Sequence, residues 1–360
     1  MRLLPLLLGL VTFGCATPHA LWKTRANPVG LSMHRWADPS RRAWTGDAPR
    51  PLVTAVWYPV AATTTQAPWQ VAIFEAGLNA IDAPPLAGRF PLIILSHGTG
   101  GAAASIAWLA EALAANGNVV AVVNHHGNTA AEDALRLEAQ LVWWDRPRDV
   151  RRVIDLLLAD PTFGPHLDAA RIGVAGFSLG GYTALASVGA RLELARYRAW
   201  CGEHPQDVTC ALPPEAAGHT EAELEHLLEA PRLKAELEHA GDDFADPRIK
   251  AAFVIAPVLA PAFAPESLAR VAVPVELVVG AADDQSAPAT NAEPLSRALA
   301  HAAVTVLPGV GHYTFLSVCT PKGRRFVPQL CADPPGVDRD AVHTDVALRA
   351  QRFFEQALRP

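Results

Sequence analysis

Arg171-Ile-Gly-Val-Ala-Gly176-Phe-Ser178-Leu-Gly180-Gly-Tyr-Thr-Ala-Leu185 is the stretch whose reading decides the fold. A short apolar run, Arg171 to Phe177, reads as a strand buried on both faces. It passes directly into Gly176-Phe177-Ser178-Leu179-Gly180, and a small-residue helix is expected at once. So tight a strand-to-helix turn needs glycine two residues either side of the serine, because side chains there would collide. The turn strains the serine backbone and lifts its hydroxyl clear of the sheet, while the helix N-terminus faces any negative charge that develops beside it. A bare Gly-x-Ser-x-Gly is only suggestive; the strand before it and the helix after it make it informative.

Outward from this point, strand-like and helix-like segments alternate, which predicts a mostly parallel sheet flanked by helices. The expected strands are Leu52 to Tyr58, Pro91 to Leu95, Asn118 to Val123, Arg171 to Phe177, Ala251 to Ile255, Val275 to Val279 and Val304 to Leu307. Helices are expected over Ala102 to Ala115, Arg146 to Asp160, Gly181 to Ala190, Ala289 to Ala300 and Asp345 to Leu358. In the second of these, Val150, Val153, Ile154, Leu157 and Leu158 recur at helical spacing. Residues 192–246 break the alternation and read as a helical, lid-like insertion, with Thr220 and Glu223 as a capping box.

A serine hydroxyl needs a base, and the base an orienting acid. In this kind of sheet the partners follow in the order serine, acid, histidine, each after a core strand. Asp283-Asp284 follows the strand ending at Val279, and His312 follows the strand ending at Leu307. His312 lies among glycines in a loop and is the expected base. Asp283 stands three residues beyond Gly280 and is favoured as the acid, with Asp284 the alternative. Two backbone N–H groups should form an oxyanion hole: Leu179 after the serine, and Thr99 in Ser96-His97-Gly98-Thr99-Gly100-Gly101, with Gly98 or Gly100 as substitutes. His97 is read as shaping that loop rather than acting as base. His97, Phe177 and Tyr313 are candidate pocket residues, and Trp108, Trp143, Trp144, Tyr182 and Phe315 could line an acyl pocket or simply pack. His125 and His126 in Asn124-His125-His126-Gly127-Asn128 are neighbours that point apart, so no metal site is expected, and a role at the pocket rim fits better.

The chain of 360 residues carries 30 basic and 36 acidic residues, for a net charge of −6, with no basic footprint for nucleic acid. Arg2 followed by the apolar run Leu3 to Phe13 reads as an export leader within residues 1–20, too short to span a bilayer. Phe13-Gly14-Cys15-Ala16 is similar to a bacterial lipoprotein signal, with Cys15 as the lipidated mature N-terminus, although Thr12 stands where such signals usually carry Leu. The alternatives are a plain signal peptide cut near Ala16 or Ala20, or an uncleaved anchor; a periplasmic or membrane-anchored location is expected. Cys201, Cys210, Cys319 and Cys331 allow three connectivities; local pairing, Cys201 with Cys210 and Cys319 with Cys331, closes short loops and suits an oxidising compartment.

Together His97-Gly-Thr-Gly-Gly101, Gly176-Phe-Ser-Leu-Gly-Gly181, Gly280-Ala-Ala-Asp283 and Gly311-His-Tyr-Thr-Phe315 resemble the α/β-hydrolase superfamily. Within it they look most like the bacterial branch of predicted dienelactone hydrolases, related to platelet-activating-factor acetylhydrolases. Val56-Trp-Tyr-Pro59, Asn124 to Thr129 and Arg146-Pro-Arg-Asp149 add to the likeness, which covers roughly residues 29–358. The resemblance implies the α/β-hydrolase fold and hydrolysis of a small-molecule or lipid carboxylic ester without cofactor. It departs in one respect: true dienelactone hydrolases carry Cys as nucleophile, and here Ser178 stands in the elbow. Amidase, peptidase, thioesterase and polyester hydrolase share such a triad, and a non-catalytic envelope lipoprotein is the rival from another class.

Overall fold

The computed structural model describes residues 27–71, 73–211 and 220–359; the leader and Cys15 lie outside them. Among the described residues ten strands form one sheet: β1 (Val29–Arg42), β2 (Pro49–Pro59), β3 (Ala67–Val71), β4 (Phe74–Ile81), β5 (Phe90–Ser96), β6 (Val119–His125), β7 (Leu167–Phe177), β8 (Ile249–Ile255), β9 (Val275–Gly280) and β10 (Ala302–Leu307). Their order is β10-β9-β8-β7-β5-β6-β2-β1-β4-β3. From β6 through β5 and β7 to β10 every neighbouring pair is parallel, and β2 joins antiparallel to β6.

Alternation along the central strands builds two cores. Leu92 and Ile94 pack on one face with Val150, Ile154, Leu157 and Leu185, while Ile93 and Leu95 pack on the other with Trp108, Leu113, Val346 and Phe354. The helices Asp145–Ala159 and Leu179–Ser187 cover the first face, and Ala107–Ala115 and Arg339–Ala357 the second.

Each expected strand is present, and the differences have local causes. The last helix begins at Arg339, not Asp345, because Asp338 caps it, accepting from the N–H groups of Asp340 and Ala341. The helix expected over Ala289 to Ala300 runs only from Ala292 to Ala298. The strand β1 and the β3–β4 hairpin were not expected; β1 carries polar residues at alternate, partly solvated positions, and its register slips between Asp38 and Arg42, around Pro39.

Residues 192–246 carry the helices Leu194–Glu203, Glu221–Leu228 and Pro231–Leu237. The capping box is formed: Thr220 N–H donates to Glu223 Oε2 (2.7 Å) and Glu223 N–H to Thr220 Oγ1 (3.2 Å). Both local disulfides are present, with Cα–Cα distances of 5.4 Å for Cys201–Cys210 and 5.7 Å for Cys319–Cys331.

Candidate active site

Only Ser178 separates β7 from the helix Leu179–Ser187, and it takes φ 57° and ψ −120°. A residue with a Cβ is costly there, by about 1–3 kcal/mol, and survives because its surroundings hold it. Ser178 N–H donates to Ile255 O (2.9 Å), and Ser178 O accepts from Gly181 N–H (2.8 Å). The flanking glycines are required by space: a Cβ on Gly176 would lie 1.9 Å from Gly180 O, and one on Gly180 would lie 1.9 Å from Ser96 O.

The loops after β9 and β10 bring two more side chains to the serine. His312 Nε2 lies 3.0 Å from Ser178 Oγ, and His312 Nδ1 lies 2.8 Å from Asp283 Oδ2. Asp283 Oδ1 also accepts from the N–H groups of Gln285 (3.0 Å) and Ser286 (2.6 Å), which aims the carboxylate. Asp283 is buried and Asp284 exposed, so the first of the adjacent aspartates is the one that reaches His312. Ser178, His312 and Asp283 thus form a buried relay in the expected chain order.

The glycine loop after β5 faces the same point. As the first residue of its helix, Leu179 has an N–H without an intrahelical acceptor. Gly100 N–H donates to Asn128 Oδ1 (2.6 Å), which removes Gly100 from the candidate donors. Asn124 Oδ1 accepts from Ala103 N–H (2.9 Å). The asparagines of the Asn124 to Asn128 motif therefore brace the loop. His125 and His126 have separate partners, Asp149 and Glu132.

His97 does not line the pocket, contrary to expectation. It is fully buried behind the loop, its Nδ1 2.7 Å from Gly98 O and its Nε2 accepting from His125 N–H (3.2 Å). Burial first, and then the Arg146 guanidinium, hold its pKa well below the usual histidine value, so it is neutral.

Beneath the loop lies a buried charge cluster that sequence reading missed. Asp149 accepts from Arg41 Nη2 (2.6 Å), from Arg50 Nε (2.8 Å) and from His125 Nδ1 (3.0 Å). Against the upward push of burial, Arg50 and Arg41 keep its carboxyl well below the usual carboxylate range. His125, desolvated and facing Arg146, is pushed down to about 4, and His343, buried beside Arg339, to about 3. In the unfolded chain these histidines take a proton near 6.5. The unfolded state then binds more protons below that pH, so stability is full above it and falls as pH drops from 6.5 toward the folded values. The fall should reach up to about 1.4 kcal/mol per pH unit for each histidine. The guanidinium midpoint should accordingly be lower at about pH 5 than at about pH 7.5; an equal or higher midpoint would count against neutral buried histidines.

A cavity of about 550 Å³ opens onto Ser178 and His312. Its wall is mainly apolar, with Trp143, Trp144, Phe177, Tyr313 and Leu316 from the core and Leu194, Tyr197, Val208, Leu228 and Leu237 from the insertion. Among the described residues, Arg198 is the only Lys, Arg, Asp or Glu on that wall. Trp108, Tyr182 and Phe315 stay outside it: Trp108 stacks on His343 at 4.1 Å and donates to Phe315 O.

Residues 92–323 match the family model described as the alpha/beta hydrolase family. Among solved structures, the chain is similar to a ferulic acid esterase from Streptomyces cinnamoneus, with a TM-score of 0.62 and 22% identity over 92% of this chain and 91% of that one. No curated protein matches. The structural likeness supports the fold.

Proposed function

We propose, for a chain that belongs to the alpha/beta hydrolase family, that it hydrolyses carboxylic esters through an acyl-enzyme on Ser178. The observation that carries this is the relay from Asp283 through His312 to Ser178, set at the floor of the apolar cavity. Ser178 Oγ attacks the ester carbonyl as His312 Nε2 takes its proton, and Asp283 holds the imidazole in the useful tautomer. The N–H groups of Leu179 and Thr99 stabilise the oxyanion. His312 returns the proton to the departing alcohol, and water activated by the same histidine releases the acid. None of these steps uses a cofactor.

The cavity bears on the substrate. An apolar wall of that size favours an uncharged, bulky acyl group, aliphatic or aromatic, over acetate. The similar solved structure is an esterase, which agrees with this class, and the likeness to the dienelactone-hydrolase-like branch belongs to the same reading. So does export: an oxidising compartment accords with two disulfides among the described residues, and mass spectrometry of the mature N-terminus tests whether Cys15 carries lipid.

The functional test is a panel of p-nitrophenyl esters of graded acyl size with matching thioesters and anilides. Esters with large acyl groups should turn over best; a preference for the anilides or thioesters would reassign the activity, and no turnover of any would reject it. Trp143→Ala, which empties part of the cavity wall, should lower kcat/KM for the best bulky ester roughly 10- to 100-fold, the range expected for lost apolar pocket contact, and change acetate hydrolysis far less.

A further inference from the structure

The two arms of the Arg146 guanidinium hold the backbone of the glycine loop from behind. Nη1 donates to His97 O (2.5 Å) and Nη2 to Gly98 O (3.1 Å). Gly98 O belongs to the same peptide unit as Thr99 N–H. No cis peptide bond occurs among the described residues, and in a planar trans peptide the C=O and N–H point in opposite directions. A cation fixed on Gly98 O therefore turns Thr99 N–H away from itself. That peptide unit lies against the nucleophile: a Cβ on Gly98 would sit 3.1 Å from Ser178 Cβ.

The rest of the arginine's surroundings are unusual for a structural cation. Arg146 is 2% exposed, its Nε has no partner, and among the described residues no carboxylate lies within ion-pair distance of it. The nearby acid Asp149 is engaged by Arg41, Arg50 and His125. A buried cation without a contacting acid is expensive to keep, and these two carbonyls receive its hydrogen bonds.

We propose that Arg146 is a positioning residue for the oxyanion hole: its fork orients the Gly98–Thr99 peptide and its charge, acting through that peptide's dipole, strengthens Thr99 N–H as a donor to the developing oxyanion. This rests on the ester-hydrolase reading and adds to it a residue that touches no substrate. It also gives Arg146-Pro-Arg-Asp149 a function: Arg146 serves the loop, and Asp149 balances the neighbouring charges.

The test uses the full chain with Arg146→Met, which removes the charge and both hydrogen bonds, and Arg146→Lys, which keeps the charge without the fork. Active sites are counted by the burst of p-nitrophenol, so that misfolded molecules do not enter the rates. A trifluoromethyl ketone carrying the preferred acyl group is the second probe. Ser178 Oγ adds to its carbonyl carbon, the serine proton passes to His312, and the carbonyl oxygen becomes an oxyanion in the hole. Its isosteric alcohol, which forms no adduct, reports ground-state binding.

The expected result for the Met variant is a fall in kcat on the order of 10²-fold, as for loss of one oxyanion donor, with KM and alcohol affinity nearly unchanged. Ketone affinity should fall by a similar factor, and the Lys variant should lie between. Titrated sites of both variants that turn over and bind the ketone like the parent would overturn the proposal. So would failure of both variants to fold, since Arg146 would then serve the structure. A parent that gives neither a burst nor a ketone adduct fails the ester-hydrolase reading itself, and the positioning role falls with it.

Discussion

Ser178→Ala should lower kcat/KM by at least about 10⁴-fold while leaving the protein folded. Among the described residues, the hydroxyl is the nucleophile that His312 Nε2 reaches from its place between Asp283 and the serine. On the proposed mechanism, the cavity and the two backbone donors would still bind the ester without it but would have no covalent path. The fold should tolerate the change, since alanine keeps the Cβ and the backbone bonds to Ile255 and Gly181 remain. The strain at φ 57° adds a sharper expectation. Ser178→Gly should be equally inactive yet at least as stable as Ser178→Ala, the reverse of the usual order, because glycine adopts this backbone region freely. Thermal melting of the two variants, with parallel ester kinetics, checks both statements. An active alanine variant would remove Ser178 from the chemistry.

The second large effect distinguishes neighbouring aspartates. Asp283→Asn should lower kcat by about 10⁴-fold, because an amide in that place offers His312 Nδ1 a donor where it needs an acceptor and favours the wrong tautomer. Asp284→Asn should change kcat by less than about twofold, since Asp284 is exposed and its charge is screened by solvent. Steady-state kinetics of the two variants read this directly. If the losses fall the other way round, Asp284 is the orienting acid and the loop after β9 turns differently in solution.

What could be read from sequence was whatever local backbone geometry demands. Gly176 and Gly180 are forced by contacts under 2 Å, so the elbow is written in the residues themselves. The order of Ser178, Asp283 and His312 follows from parallel strands that all present their C-terminal ends to one side of the sheet. The choice between Asp283 and Asp284 depended on a turn of one residue, which spacing alone did not decide. Arg41, Arg50 and Asp145 were legible only as charged residues of the kind that normally face solvent, and Asp149 only as part of a motif; their burial together comes from β1 and β2 meeting the helix Asp145–Ala159. His97 sits beside the glycines in sequence, yet its ring turns toward His125 and away from the cavity. The contribution of residues 192–246 to the cavity wall depends on long-range packing that no local pattern encodes.

The central claim is that Ser178 is acylated in turnover. Its most direct test is to mix the protein with its best p-nitrophenyl ester, quench with acid during the burst, and analyse the intact protein and its peptides by mass spectrometry. The expected result is one acyl adduct per chain, on the peptide bearing Gly176-Phe-Ser-Leu-Gly180 and localised to Ser178. An adduct on another residue, or ester turnover with no acylated species under quench, would contradict it.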